Sequence, residues 1–437
     1  MDEARVIRAE RSQLRLEVID LEALLAADHR ARIVWEFVES LNLSALYDAI
    51  KSREGEAGRP AADPKVLMAL WLYATIEGVG SARELARLVE RDVAYRWLAG
   101  GVSVNHHGLS DFRTLHVEIL DRLLSESVTA LIAEGLVRLE EIALDGTKIR
   151  ASAGKGSFAS GERLCRIEAA VNERLAVLKA EIESATDASA RRKRAARERT
   201  AKETLERAAK AKEALERLRA EKAKRKEKHP GEEAKKKASE PRVSMTDPEA
   251  RQMRFADGSV HAAYNAQVGA DVQSSIVVTV AMTDRRNDSG LARPMVEDIA
   301  RRYGRTMKHL LIDTHYATAQ DIEALAADEY GGIKVYAPPP KEKDESQLCD
   351  KRSAANRQAQ REKESDTLKD WRARMDTSAG QDAYRRRKRI ELVHAQLKNR
   401  GFGILNVRGL VKARAVALWH ALAHNLLTAR RLREALA

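Results

Sequence analysis

The sequence predicts an α/β domain, a mixed sheet flanked by helices, preceded by an all-α helical domain and interrupted by a helical coiled-coil insertion. Three observations predict it. From about residue 28 to residue 135, apolar side chains recur at spacings of three and four. From residue 137 onward, short β-rich runs alternate with helical patterns, the signature of a sheet covered by helices. Between them, residues 160–240 are almost free of aromatics and rich in Ala, Glu, Lys and Arg.

The helical pattern runs through RIVWEFVESLNLSALYDAI, VLMALWLYATI and ARELARLVERDVAYRWL, broken at GEAGRP, GVGS and GGVSVNHHG. Pro64 after Asp63 and the Ser81 to Glu84 spacing mark helix starts. A compact bundle of short helices follows. Such bundles serve as DNA-binding modules or as plain packing units, and periodicity does not separate the two. His106 and His107 read as the loop leading into a helix that begins near Asp111, not as a metal pair.

The period then changes. LVRLEEIALDGTKI reads as a short buried strand ending in Asp145 and a glycine turn, and HLLIDTHYAT repeats the design with Asp313. HAAYNAQVGADVQSSIVVTVAMTD reads as a hairpin and GGIKVYAPPP as a further strand, with helices around 291–303 and 319–327. In the interruption, Ile167, Val171, Leu175, Leu178 and Ile182 form one helical stripe and Leu205, Leu215 and Leu218 a second, with SATDASA between them. A helical hairpin with a frayed basic end, EKAKRKEKHPGEEAKKK, is expected. The boundaries are then 1–135 for the helical domain, 136–159 and 241–437 for the two parts of the sheet domain, and 160–240 for the insertion. A polar stretch near 341–378 reads as mobile.

Composition narrows the function. With 437 residues and 44% hydrophobic content the chain has enough material for a large core. Its net charge of +12 is local: residues 191–240 hold 20 Lys/Arg against 10 Asp/Glu, and the rest holds 58 against 56. That excess fits either a solvated helical face or a segment that tracks nucleic-acid phosphates. Cys165 and Cys349 are far apart and lack partners at zinc-ligand spacing, which argues against a disulfide framework and a cysteine zinc site. The longest apolar run, Val66 to Ile76, is too short to cross a bilayer, and the charged start MDEARVIRAERSQ lacks the apolar region of a signal peptide. A soluble, unsecreted protein without membrane partners is expected.

Carboxylates carry the chemistry. An aspartate closing a buried strand is costly unless compensated, and Asp145 and Asp313 both do so. Either alone suits an Asx turn or a helix cap. A third carboxylate, Glu391, lies in YRRRKRIELVHAQLK amid seven Lys/Arg between 384 and 400. On a continuous helix Tyr384, Arg387, Glu391, His394 and Lys398 fall within about 80° of one another. The stripe suits an intrahelical ladder, Arg387 and Glu391 being an i,i+4 pair. It equally suits a metal-binding carboxylate whose neighbours grip phosphate. Three carboxylates together make a pocket for two divalent cations about 3.5–4 Å apart, the arrangement used for in-line phosphoryl transfer. Oxygen-only ligation points to Mg²⁺ or Mn²⁺.

The spacing Tyr384-x2-Arg387-x3-Glu391-x6-Lys398 matches the Y-R-E-K signature of bacterial insertion-sequence DDE transposases, which the chain resembles in further blocks. LDGTKIRA resembles the segment of the first catalytic aspartate and LLIDTHYAT that of the second. GRPAADPKVLMALWLYA and LVERDVAYRWLAGG resemble the family's N-terminal helical domain. MTDPEARQMRFADGSVHAAYNAQVGAD and NVRGLVKARAVALWHALAHNLLTA resemble its intervening and C-terminal segments. The resemblance implies a ribonuclease-H-like fold in which Asp145, Asp313 and Glu391 are catalytic metal ligands for two Mg²⁺ or Mn²⁺ ions. It implies that Tyr384, Arg387 and Lys398 bind DNA. The implied partners are double-stranded DNA, as terminal inverted repeats and target, and further copies of the chain assembled on it. The implied setting is the bacterial cytoplasm, at the nucleoid during action. Rival readings are a catalytically silent DNA-binding relative, a metal-dependent nuclease without strand transfer, and a structural coiled-coil protein. The sequence departs from the family at His315, where a small residue is common. Asp271 and Asp288 read as turn residues.

Overall fold

A computed structural model describes residues 20–50, 52, 60–183, 188–228, 240–340, 361 and 363–436. The chain opens with α1 (Arg30–Ser40), α2 (Ser44–Asp48), α3 (Pro64–Ile76), α4 (Ala82–Arg91), α5 (Val93–Ala99), α6 (His106–Leu115) and α7 (Val117–Ala133). The expected caps are present: Asp63 accepts from Lys65 N with Pro64 in the first turn, and Ser81 accepts from Glu84 N. One start differs from expectation. α6 begins at His106, not near Asp111, because the Asn105 side chain accepts from Gly108 N and so caps the helix ahead of both histidines.

Strand β1 (Glu141–Arg150) begins the sheet. After it come β2 (Phe158–Ala159), α8 (Gly161–Glu183), α9 (Ala188–Lys228), β3 (Val243–Ser244), β4 (Arg251–Arg254), β5 (Val260–Asp271) and β6 (Val277–Thr283). The chain continues with α10 (Ala292–Tyr303), β7 (His309–Leu311), α11 (Ala319–Leu325), β8 (Lys334–Tyr336), α12 (Asp366–Asp376), α13 (Ser378–Arg385), α14 (Lys388–Asn399) and α15 (Leu410–Glu434). β5 lies between β1 and the pair β4 and β6, all antiparallel to it, while β1, β7 and β8 run parallel. The sheet is therefore mixed, with helices on both faces, as expected. β5 and β6 form the expected hairpin, and Asp271 does serve as its turn residue, accepting from Ser274 N and Oγ.

Two helices hold the layers together. α3 is buried almost along its whole length, and α15 is buried from Ala413 to Ala429 with few interruptions. α3 is apolar on nearly every side, and α15 carries no Lys, Arg, Asp or Glu from Ala415 to Ala429, because both run inside the molecule, not over it. α15 joins the N-terminal helices to the sheet by specific bonds. Trp419 Nε1 donates to Arg113 O at 3.0 Å, while the Asn425 amide accepts from Val277 N at 2.8 Å and donates to Val277 O at 2.7 Å. A side-chain amide thus does for the edge of β6 what a further strand would do. A second junction is ionic: Arg302 of α10, 1% exposed, donates to Asp121 of α7 and Asp298.

The interruption after β2 comprises α8 and α9, packed against each other through Leu164, Leu175, Leu178, Ala208, Ala211, Ala214 and Leu215. α9 starts at Ala188, within the SATDASA segment expected to part the two arms. The short antiparallel pair β2 and β3 closes its base. Most of the basic end, residues 229–237, and residues 341–360 of the polar stretch lie outside the described residues. Residues 366–376 of that stretch form α12, with Leu368, Trp371 and Met375 buried.

Candidate functional site

The end of one short strand opens the site. β7 pairs with β1 only from Glu141 to Ala143, so from Leu144 onward β1 has, among the described residues, no strand beside it on that edge until Arg150 meets Ile404. Asp145 lies in this gap. It does not end its strand, as expected from Gly146; β1 continues four residues past that glycine to Arg150. Alternate residues of a strand face opposite sides, and Glu141 and Asp145 both meet the segment joining α13 to α14.

That segment is not one continuous helix as the stripe supposed. The chain turns at Arg386 and Arg387, closed by i→i+3 bonds from Arg386 N to Ala383 O and from Arg387 N to Tyr384 O. Tertiary ion pairs hold the turn in place. Arg386 grips Glu141 with bonds of 2.8 and 2.6 Å, and Arg387 Nη2 lies 3.1 Å from Asp145 Oδ1. Arg387 Nη1 reaches Glu391 at 3.2 Å, so one guanidinium links two of the predicted carboxylates.

The remaining predicted residues separate by depth. Asp313 follows β7 and accepts from His315 N and Tyr316 N, each at 2.9 Å, which fixes it in an Asx turn. Tyr384 is half-buried, and burial raises its hydroxyl pKa; Arg387 opposes this, while Asp313, Glu391 and Asp145 reinforce it. All three predicted carboxylates therefore act on one phenol. The Glu391 side chain is 62% exposed, and Lys398 is exposed one turn beyond His394. His315 is an exposed residue after the Asp313 turn.

Two residues were not assigned to the site from sequence. His394, in the stripe but given no role, is buried with Nε2 3.6 Å from Asp145 Oδ2. Burial holds its imidazole down at about 3, with Lys398 and Arg387 adding to the effect, so it is neutral. Asp288, read as a turn residue, instead has its carboxylate beside Gly146, accepting from Asn265 Nδ2 and Gln267 Nε2 at 2.7 Å each. The only local hint was an acidic residue between a strand and a helix.

Burial pushes the Asp145 carboxyl up to about 6; Arg387 works against this, and Asp313 and Asp288 add to it. A carboxylate so placed is under-compensated by its one arginine. Its nearest neighbours are the Arg387 guanidinium and the His394 imidazole, and the carboxylates of Asp313 and Asp288 act on it from further out; those carboxylates are hard oxygen donors, the ligand chemistry of Mg²⁺ and Mn²⁺, and in that respect the residues fit a divalent cation. Among the described residues, no three acidic, histidine or cysteine side chains gather around one point as a ready metal cage. Arg387 holds the position between Asp145 and Glu391 instead.

Comparison with known families places these observations. Residues 19–115 match the model of a transposase domain (DUF772), and residues 228–427 match that of the transposase DDE domain. The chain belongs to the insertion-sequence DDE transposases. No curated protein and no solved structure matches it. The DDE match contains Asp288, Asp313, Tyr384, Arg387, Glu391 and Lys398 but begins after Asp145. The family implies a ribonuclease-H-like fold, a DNA substrate and the use of divalent metal ions. No helix of this transposase is long and apolar enough to cross a membrane among the described residues.

Proposed function

We propose that this transposase cuts the ends of an insertion sequence and joins the freed 3′-hydroxyl to target DNA. Asp145, Asp313 and Glu391 are its metal-holding carboxylates. The observation that carries the reading is the arginine bridge: Arg387 alone is shared between Asp145 and Glu391 at the open edge of β1, in the field of Asp313, which leaves the carboxylates short of positive charge. A phosphodiester in that notch offers Arg387 an anion of its preferred bidentate geometry, and leaving Asp145 for it frees the carboxylates.

Two divalent cations, Mg²⁺ or Mn²⁺, would supply the charge that activates the attacking oxygen and stabilises the leaving one. The chain's own groups then orient the substrate. Arg387 holds the scissile phosphate, the Tyr384 hydroxyl donates to one of its oxygens, and exposed Lys398 pairs with a flanking phosphate. In the first step water attacks phosphorus and the bond to the 3′-oxygen breaks, leaving a 3′-hydroxyl and a 5′-phosphate. In the second, that hydroxyl attacks a target phosphodiester, losing its proton as the target 3′-oxygen departs. No covalent bond to the protein forms.

In this reading residues 1–135 bind DNA ends, and 136–159 with 241–437 form the catalytic domain. Residues 160–240 are a basic coiled-coil insertion, and the working assembly is a homo-oligomer on DNA in the bacterial cytoplasm. The test is nicking and joining of labelled duplex bearing the element's own ends, in Mg²⁺ or EDTA, at matched DNA occupancy. Wild type should release a 3′-hydroxyl and join it only with metal, and Glu391→Gln should bind yet lose both steps by roughly 10²-fold or more. Equal binding without cutting by either protein would leave a silent DNA-binding relative. Metal-dependent cutting without joining would leave a nuclease.

A further inference from the structure

Asp288 reaches the gap in β1 from the other face of the sheet. Asp145 meets Arg387, just ahead of α14, whereas a side chain on Gly146 would point to the opposite face, that of its β5 partner Gln267. A Cβ on Gly146 would lie 2.2 Å from Asp288 Oδ1, so the carboxylate fills the space that the missing side chain leaves. Two neutral amides, Asn265 and Gln267, donate to Oδ1. Oδ2 accepts no bond and the carboxylate has no ion pair among the described residues. Asp288 nonetheless lies in the field of Asp145.

Independent features point into the same space. Gln267 is 1% exposed, and its Oε1 has no partner among the described residues. Tyr316 is wholly buried; its hydroxyl has no partner among the described residues and lies in the field of Asp288, Asp145 and Asp313. A buried amide oxygen left bare costs about 1–3 kcal/mol, and such a cost calls for a ligand. Oxygen acceptors without donors, beside two carboxylates sharing one arginine, are complementary to a hard cation.

We propose that Asp288 is a further carboxylate of the metal-binding site, holding a divalent cation jointly with Asp145 from the face opposite Glu391. The Gln267 carbonyl and Tyr316 hydroxyl complete its surroundings. The three carboxylates of the Y-R-E-K reading are then one short of the full set. The inference rests on the proposed function, since it requires that Asp145 bind metal.

The test is Mn²⁺ alone, titrated into the full-length protein and followed by the loss of the free-ion electron paramagnetic resonance signal, for wild type, Asp145→Asn and Asp288→Asn. Asparagine at 288 keeps an oxygen for the Asn265 and Gln267 amides, so the metal-free melting temperature should match wild type. Affinity should fall about tenfold or more in both variants. If Asp145→Asn loses Mn²⁺ while Asp288→Asn binds as wild type, Asp288 only anchors β5 and the inference fails alone. If wild type takes up no Mn²⁺ at millimolar concentration, or Asp145→Asn binds equally well, the inference and the proposed function fail together.

Discussion

Replacing Asp145 with asparagine should stabilise the metal-free protein, by an amount that depends on pH. Burial raises this carboxyl from 3.8 to about 6. The folded state therefore favours the protonated form: the stabilising contribution of that proton is whole below the unfolded value and is lost as pH rises through the folded one. At about 1.4 kcal/mol per unit, the ionised group costs about 3 kcal/mol at pH 7.5. Arg387 is already counted, because its attraction helped set the value near 6. Asparagine keeps the size and a hydrogen-bond acceptor for Arg387 but never ionises. Urea denaturation in EDTA should therefore find Asp145→Asn more stable than wild type by about 3 kcal/mol at pH 7.5 and about 1 kcal/mol at pH 4.5. The depressed His394 is common to both proteins, so its contribution largely cancels. A variant less stable than wild type at pH 7.5, or a difference flat with pH, would refute under-compensation.

Other consequences are as direct. Arg302→Met should cost about 3–5 kcal/mol by leaving Asp121 and Asp298 short of their buried partner; a loss below about 1 kcal/mol in denaturant titration would show that Arg301 and Arg414 suffice. Three imidazoles are held down by burial, His394 and His420 to about 3 and His424 to about 4. Their contribution is whole above pH 6.5 and fades as pH falls toward 4, with a limiting slope of about 4 kcal/mol per unit; denaturation midpoints unchanged between pH 7 and 4.5 would contradict it. Gly146→Ala should push Asp288 off its two amides, because the new methyl meets Oδ1 at 2.2 Å and Gln267 Nε2 at 2.7 Å. A loss of about 1–3 kcal/mol is expected, and an unchanged melting temperature would mean the carboxylate moves freely. Arg387→Gln should bind Mn²⁺ more tightly than wild type without DNA while joining more slowly with it; weaker Mn²⁺ binding would show that the arginine organises the carboxylates and does not occupy their place.

What the sequence disclosed divides along physical lines. HLLIDTHYAT and GGIKVYAPPP were legible because strands buried on both faces read as unbroken apolar runs, and the hairpin was legible from two β-rich runs around DVQSS. The end of β1 was misplaced because glycine after Asp145 reads locally as a turn. Its cause is tertiary: Gly146 stays in the strand and omits a side chain where Asp288 approaches. The break at Arg386 was hidden for the same kind of reason. YRRRKRIELVHAQLK has no Gly or Pro, and the helix tightens into an i→i+3 turn, its dihedrals still right-handed, where two arginines bind Glu141 and Asp145, more than 240 residues earlier. Spacing joined Arg387, Glu391 and His394 correctly, yet it could not say that two of them turn inward and Glu391 outward. Asp288 had no period at all to betray it.

The length of β7 is what makes these groups one site. Three residues suffice to pair β1 through Ala143 and then stop. A longer β7 would seal the edge of β1 at Leu144 to Gly146 and divide the molecule into two faces, with Asp145, Arg387 and His394 on one and Asp288 and Gln267 on the other. Because the strand stops, Asp313 turns across its end on an Asx motif, and carboxylates from both faces act on the buried hydroxyl of Tyr316. Charge that would be prohibitive inside a closed sheet is tolerable at a gap, where, on the proposed function, a substrate phosphate and its cations would enter from solvent. The arginine bridge follows from the same geometry. The Asp145 side chain is only 17% exposed and, among the described residues, has no strand beside it on that edge; the guanidinium within reach is that of Arg387, anchored at the turn by its neighbour's grip on Glu141. On the proposed function, the under-compensated charge at Asp145 and the site's readiness for an anionic substrate would therefore be two aspects of one structural choice, the early end of a strand.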